Sequence, residues 1–441
     1  MNFHRFKLSS PQIMVLGFSA VILLGALLLM LPISSAAGSW TPFIDALFTS
    51  TTSVCVTGLV VRDTGTYWST FGQVLILLMI QIGGLGVVTL AASFMLAAGR
   101  KIGLMQRSTM QNAISAPKLG GIVRLTRFII RGSLTVELIG AVIMAPTFVR
   151  EFGLGQGLWM TLFHSISMFC NAGIDLMGIR EPYSSFTSFA DNPVVSITIM
   201  LLIVIGGIGF LTWDDIITHK HRIRNYKMQS KVILATSGIL ILVPAISFFF
   251  LEFSQMPLRQ RILCSLFQAI TPRTAGANTA DLNAMSEAGQ MSLITLMLIG
   301  GSPGSTAGGM KTTTFAVLFA CAIAVFHKRD SAQFFGRRVS HEVIATACTI
   351  TFMYVGLSFA SAIALSILEG LPILPCLFEA ASAVATVGLS LGITPGLHTI
   401  SKLIIISLMF IGRVGALTLV YATLSTPVKP GKLPLDNITV G

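Results

Sequence analysis

Long apolar stretches alternate along the chain with short segments of small and hydroxyl side chains. Eight stretches, near 11–32, 72–98, 125–149, 193–217, 231–251, 290–326, 343–367 and 399–424, are apolar over a membrane-spanning length, for which ~20 residues suffice. The first follows Arg5 and Lys7, but its apolar core exceeds a secretory leader's and further spans follow, so it reads as a retained helix. Between alternate stretches a short segment recurs: FTSTTSVCVTGL (48–59), FHSISMFCNAGI (163–174), FQAITPRTAGA (267–277) and FEAASAVATVGL (378–389). Each opens at a Phe and runs to a Gly, and Gly58, Gly173, Gly276 and Gly388 lie 115, 103 and 112 residues apart. The pattern predicts an all-α integral membrane protein of four helix–pore loop–helix pseudo-repeats, with eight transmembrane helices around one pore. The repeats fall at 1–98, 99–217, 218–326 and 327–441, the last including a C-terminal tail.

Composition agrees: 53% of residues are apolar and 10% charged, against about 25% charged in soluble domains. The loop near 99–131 carries seven Lys/Arg and the loop near 218–231 five, both without an acid, and Lys328, Arg329, Arg337 and Arg338 mark a third. Basic loops face the cytoplasm, which puts both termini there and makes the chain a multi-pass protein of the cell membrane. The net charge of +12 is then mostly a topology signal. It calls for no nucleic acid, and leaves room for attraction to anionic membrane lipid or an acidic partner. The six cysteines form no Cys-x-x-Cys pair, so no disulfide framework or zinc site is implied, and Cys55 and Cys170 read as small packed side chains.

Each recurring segment is expected to form a short helix after its Phe, with its negative C-terminal end toward the pore axis, and then to extend near the Gly. Glycine allows positive φ, so consecutive carbonyls can point inward and replace the water of a K⁺ ion. The ion-binding residues expected are Val56, Thr57 and Gly58; Asn171, Ala172 and Gly173; Thr274, Ala275 and Gly276; and Thr386, Val387 and Gly388. None is acidic, which points to a monovalent ion. Asp63, Asp175 and Asp281 follow the first three glycines and either draw cations to the outer mouth or are ordinary solvated charges. Arg273 is expected to point behind the third loop, toward an acid or carbonyls.

A second glycine cluster follows each loop: Gly83-Gly84-Leu85-Gly86, Gly206-Gly207-Ile208-Gly209, Gly300-Gly301-Ser302-Pro303-Gly304 and Gly412-Arg413-Val414-Gly415. Close helix packing accounts for most of these. The third extends into GGSPGSTAGGMKTTT (300–314), which cannot form a regular helix cheaply and belongs where it borders water or packed protein. It reads as a gate inside the filter, formed by Gly304, Ser305, Thr306, Ala307, Gly308, Gly309 and Lys311. It nearly matches a phosphate-binding loop, but Met310 separates Gly309 from Lys311 and the flanks are membrane helix. Lys311 is read as snorkelling toward the cytoplasm. Arg413, at the equivalent depth of the fourth repeat, either ties helix carbonyls or faces the pore, repelling cations and holding the gate. Glu137 reads as a buried partner for a base, Asp214 and Asp215 as interfacial, and His164 as a packed, non-catalytic side chain.

The four loops ending in Gly, with SVCVTGL and TPRTAG within them, the broken GGSPGSTAGGMKTTT and the arginine of IGRVGALTL resemble the Trk/Ktr/HKT superfamily of potassium transporters over nearly the whole chain. The eight-helix length is most similar to the KtrB membrane subunits. The resemblance implies a homodimer with one pore per protomer, a cytosolic ring of nucleotide-binding (KtrA-like) subunits and, in many members, Na⁺-dependent K⁺ uptake. Four filter glycines imply K⁺ preference, while Asn171 departs from a uniform filter. The expected function is thus K⁺ uptake; an alternating-access cation symporter with a midplane site is the alternative, and no His/Asp/Glu constellation supports an enzyme.

Overall fold

The computed structural model describes residues 9–87, 89–91, 108–111 and 121–423. Arg5, Lys7, residues 92–98, most of the basic loop before 121 and the tail from 424 lie outside the described residues. The chain is mostly helical. In order come α1 (Ser10–Met30), α2 (Phe43–Cys55), α3 (Thr70–Leu85), α4 (Ile122–Phe152), α5 (Leu154–Phe169), α6 (Pro193–Gly207), α7 (Phe210–His219), α8 (Met228–Leu251), α9 (Leu258–Ile270), α10 (Glu287–Leu298), α11 (Thr312–Phe326), α12 (His341–Glu369), α13 (Ile373–Val384), α14 (Thr399–Val414) and α15 (Ala416–Thr423). A two-residue hairpin, β1 (Gln333–Phe334) with β2 (Arg337–Arg338), joins α11 to α12.

Among the described residues α1, α4, α8 and α12 can each cross a membrane by length and apolarity, and two bent pairs, α6 with α7 (96°) and α14 with α15 (91°), bring the number to six if each pair is one span. The stretch expected over 290–326 is not one helix: α10 and α11 are separated by irregular chain over 299–311. The expected break was drawn three residues too far, since Thr312 to Thr314 already belong to α11.

Local sequence sets the boundaries. Ser9 caps α1, exchanging bonds with Gln12 in a capping box. Pro42, Pro257 and Pro372 precede α2, α9 and α13; Gly153, at φ +80°, precedes α5. These helices therefore start well before their Phe residues. Phe48, Phe163, Phe267 and Phe378 lie mid-helix and all are 0% exposed, so they are anchors and not helix starts.

Polarity is inverted relative to a soluble protein. Thr49 to Ser53 on α2 are buried, while Leu23, Leu24 and Leu27 on α1 are 51–60% exposed. Short polar helices fill the interior and long apolar helices surround them, as a lipid solvent requires. Ser50 on α2 donates to Ile22 O of α1 at 2.7 Å, and Ser165 on α5 donates to Glu137 O of α4 at 2.5 Å. Gly25 and Gly140 give these hydroxyls room; an added Cβ would meet the Ser50 Oγ at 2.5 Å or the Ser165 Oγ at 2.6 Å.

Candidate functional site

α2, α5, α9 and α13 each lead directly into one of the glycine loops. Every loop holds a non-glycine residue in the left-handed region: Val56 (φ +56°), Asn171 (+58°), Thr274 (+67°) and Thr386 (+52°). Two residues later comes Gly58 (+101°), Gly173 (+64°), Gly276 (+76°) or Gly388 (+95°). Val56, Thr274 and Thr386 are β-branched, for which positive φ is a genuine outlier, and such strain of about 1–3 kcal/mol per residue persists only where the surroundings impose it. The surroundings here are the helix ends. Thr57, Ala172 and Val387 N–H donate back across the terminus to Thr52, Ser167 and Ser382 O, each at 2.8 Å, in the manner of a Schellman cap. The third loop is a residue shorter, and Ala275 N–H donates to Thr271 O at 3.0 Å.

The hydroxyls of the same capping residues fasten the loops, a role the sequence reading missed. Thr52 Oγ1 and Ser382 Oγ accept from Gly58 and Gly388 N–H at 3.0 Å each. Ser167 Oγ donates to Ile174 O at 2.6 Å, and Thr271 Oγ1 donates to Ala277 O. The signal was present: a hydroxyl residue stands at this position in all four segments.

The four loops close on one another in cyclic order. A Cβ built on Gly58 would meet the carbonyl oxygen of Ala172 at 2.6 Å; one on Gly173 would meet that of Ala275, one on Gly276 that of Val387, and one on Gly388 that of Thr57. Each glycine thus abuts the carbonyl just before the next loop's glycine, and the last loop closes on the first. Of the twelve residues singled out from the sequence, eight meet here: the four glycines with Thr57, Ala172, Ala275 and Val387; Val56, Asn171, Thr274 and Thr386 are the left-handed residues two positions before the glycines. Thr57, Thr274 and Thr386 Oγ1, in three of the loops, are buried without a hydrogen-bond partner among the described residues.

On one side of the ring, a cavity of about 170 Å³ is lined by the four glycines and by residues that follow them, Asp63, Asp175 and Tyr183 among them. Asp281 is not at its wall. Asp63 accepts from Thr66 N–H at 3.0 Å and Tyr183 N–H at 3.1 Å; Asp175 accepts from Met177 N–H at 2.9 Å. Burial pushes the Asp175 carboxyl up to about 7; the Asp63 charge adds to this, against the bonds from Met177 and Ser185.

On the other side, the segment over 299–311 crosses beneath the ring. Gly309 abuts Ala385 O, at 2.6 Å from an added Cβ, and Thr306 Oγ1 bonds to Phe169 O at 3.1 Å and Asn171 Oδ1 at 3.0 Å. Ser302 N–H donates to Gly207 O at 2.9 Å, and Gly309 N–H to Gly412 O at 3.3 Å. The segment is thereby tied to α6 at one end and α14 at the other. Arg413 completes the span. Its guanidinium donates to Thr306 O and, on α3, to Gly83 O and to Gly84 O at 3.1 Å. Beneath lies a cavity of about 340 Å³ lined by Ser305, Ala307, Lys311 and Arg413, among others.

Several expectations are corrected. Lys311 does not snorkel: its Nζ folds back onto Ala307 O at 2.8 Å and Gly308 O at 3.0 Å, because the segment's unpaired carbonyls are the nearest acceptors. Arg273 does point behind its loop, but to the Ser237 hydroxyl of α8 at 2.8 Å and not to an acid or carbonyl. Among the described residues Glu137 meets no base; Gln81 Nε2 donates to its carboxylate at 3.1 and 3.2 Å. The second glycine clusters do pack closely. Gly83, Gly206 and Gly412 abut Val54, Phe169 and Val384 O at the short-helix ends. Their final glycines do something else: Gly86, Gly209 and Gly415, at φ +87°, +91° and +93°, end the helices, and the latter two bend them. His164 is packed among Phe148, Phe163 and Phe186 and accepts from Leu176 N–H at 2.9 Å. Asp215 is buried; its carboxylate accepts the Lys227 N–H at 2.8 Å, and His219 Nδ1 bonds to its backbone carbonyl at 3.2 Å. Among the described residues no three His, Cys, Asp or Glu side chains converge as metal ligands.

Comparison with known proteins places this arrangement. The TrkH model, described as cation transport protein, matches residues 9–427. The potassium/sodium uptake protein NtpJ of Enterococcus hirae is 39% identical, covering 99% of this chain and 98% of its own. The Ktr system potassium uptake protein B of Bacillus subtilis is 37% identical over 99% of this chain and 97% of its own. The crystal structure of the potassium transporter TrkH from Vibrio parahaemolyticus matches with a TM-score of 0.74 at 19% identity, over 96% of this chain and 87% of that one, which is a likeness of fold. With the family model spanning the ring, the broken segment and the helices around both, the chain belongs to the TrkH family of cation transport proteins.

Proposed function

We propose that this chain takes up K⁺ across the cell membrane through a selectivity filter made by the four glycine loops, with the segment over 299–311 and Arg413 as its gate. The cyclic closure of Gly58, Gly173, Gly276 and Gly388 on the carbonyls of Ala172, Ala275, Val387 and Thr57 carries this reading. Carbonyls at one ring without a carboxylate, in loops that also hold three buried threonine hydroxyls partnerless among the described residues, suit a dehydrated monovalent cation. Four short helices ending at the ring add partial negative charge. The loop order supports four pseudo-repeats, 1–98, 99–217, 218–326 and 327–441, around one pathway with eight spans, of which α6–α7, α10–α11 and α14–α15 are interrupted. Both termini are cytoplasmic on the basic-loop rule. Homodimerisation and a KtrA-like nucleotide-binding ring follow the resemblance, and the name of the E. hirae relative, a potassium/sodium uptake protein, favours Na⁺-dependent uptake.

The test is ⁸⁶Rb⁺ uptake into cells lacking their own K⁺ transport, with and without Na⁺ and a co-expressed regulatory subunit. Expression should restore uptake. Resolved single-channel openings support the pore; a fixed ion stoichiometry without them supports an alternating-access symporter instead.

The outer cavity carries a pH prediction. With its carboxyl at about 7, Asp175 is mostly neutral near pH 6 and mostly charged near pH 8. Deprotonation adds negative potential beside the ring, so uptake at sub-saturating K⁺ should rise on the order of twofold across that window. Asp175→Asn should flatten the rise. A rise of equal size in the variant would remove Asp175 as its source.

A further inference from the structure

Arg124, Arg127 and Arg131 stand on one face of the first turns of α4 and all are exposed. None forms an ion pair or side-chain hydrogen bond among the described residues. No Asp or Glu occurs between Asp63 and Glu137 to supply one locally. A helix N-terminus already carries partial positive charge, so Arg124, in the first turn of α4, is disfavoured unless an anion joins it. Beside them an open groove of about 880 Å³ runs between α4 and α7, walled by Phe128, Val136, Trp213 and Ile217. Gly132 lets the Trp213 ring close in, since an added Cβ would stand 3.2 Å from its edge. Along α4 the exposed face continues through Leu134, Leu138 and Val142, 53–64% exposed. The arginines thus end an apolar stripe, as basic residues do where a span meets the cytoplasmic membrane face. The groove is too large for a lone ion, and its two chemistries, cationic rim and apolar wall, fit an amphiphile.

α7 links this groove to the broken segment. It starts at the bend after Gly209, and its first N–H, from Phe210, donates to Gly304 O at 2.8 Å. Trp213 Nε1 donates to Ile205 O of α6 at 2.9 Å, holding the bend.

We propose that Arg124, Arg127 and Arg131 bind the headgroup of an anionic phospholipid, whose acyl chain packs on Trp213 and Ile217 and steadies α7 against the Gly304 end of the gate. The binding half stands independently; the coupling half rests on the gating reading above.

Native mass spectrometry of the purified full-length chain with phosphatidylglycerol or phosphatidylcholine tests the first half. The wild type should retain phosphatidylglycerol selectively. Changing all three arginines to Gln should weaken this by about fivefold per arginine, on the order of a hundredfold together, while three Lys substitutions keep most of it. Equal retention by the Gln variant overturns the site. So does displacement of the lipid by millimolar inorganic phosphate, which would mark a free-phosphate site, and so does lost capture of a cytosolic partner with lipid retention unchanged, which would mark a protein interface. ⁸⁶Rb⁺ flux in phosphatidylcholine liposomes, with and without phosphatidylglycerol, tests the second half. The wild type should respond severalfold, and Trp213→Leu should bind the lipid yet lose the response. A wild-type response retained in Trp213→Leu, or absent in wild type that binds the lipid and conducts, overturns the coupling.

Discussion

Replacing Gly58 with Ser should lower the preference for K⁺ over Na⁺ by at least about tenfold, equivalent to ~1.4 kcal/mol between the two ions. The added Cβ would stand 2.6 Å from Ala172 O and 3.2 Å from the Gly388 Cα, at a φ of +101°. Backbone, not a flexible side chain, must therefore give way, and what moves is a carbonyl of the neighbouring loop. Selectivity depends on how many carbonyls face the ion and how firmly they hold, so a displaced oxygen favours the smaller ion, which tolerates fewer ligands and keeps more water. Gly38→Ser separates crowding from backbone cost. Gly38 also has positive φ, +66°, but nothing lies within 4 Å of its added Cβ. It should lose stability by about 1 kcal/mol and keep its selectivity. The measurement is competition of Na⁺ against ⁸⁶Rb⁺ uptake at matched membrane expression. Unchanged competition in Gly58→Ser would remove the ring from the ion path.

Much of the ring was legible because its signals are local. Phe, hydroxyls and Gly recur at fixed offsets, and glycine's freedom at positive φ is a property of one residue. The left-handed Val56, Thr274 and Thr386 were not legible as such. Their own propensity opposes that conformation, and only helix-end bonding and a neighbouring loop impose it. The bends at Gly209 and Gly415 were hidden for a related reason: a glycine in an apolar run serves equally for close packing or for a break, and both occur within one cluster. Buried charges were read least well. Glu137, Arg273 and Lys311 found a glutamine, a serine hydroxyl and carbonyls where a base, an acid or carbonyls, and the cytoplasmic interface were expected. Partner choice in the interior depends on which donor or acceptor lies within reach across helices, and sequence spacing does not carry that. The basic loops, by contrast, predict an orientation without any contact being known, since that rule concerns insertion and not packing.

Arg413→Ala should raise cation flux in liposomes while leaving the K⁺ over Na⁺ ratio within about twofold. In the structure Arg413 joins Thr306 O of the broken segment to Gly83 and Gly84 O of α3. One side chain therefore closes the span beneath the ring, and its charge opposes a cation there. Hydrogen bonds to a charged group contribute about 1.5–3 kcal/mol each, so losing the link should shift the balance between spanned and open arrangements on the order of tenfold or more. The ring glycines do not touch Arg413, so selectivity should persist. Arg413→Lys keeps the charge but offers no planar fork to bridge carbonyls on two sides; it should lie between wild type and Ala. Shortening the segment between Gly304 and Gly309 removes the other half of the span and should act in the same direction, with weaker dependence on the regulatory partner. Freed carbonyls at Thr306 and Gly83 will lower stability, so thermal unfolding and size-exclusion profiles must accompany the ⁸⁶Rb⁺ flux. If flux falls in both variants while the protein stays folded and of unchanged oligomeric size, Arg413 and the segment hold the helices together and do not obstruct the ion. The bridge from Thr306 to α3 would then be a brace for the ring above it, and the barrier would have to be sought elsewhere along the cavity lined by Lys311.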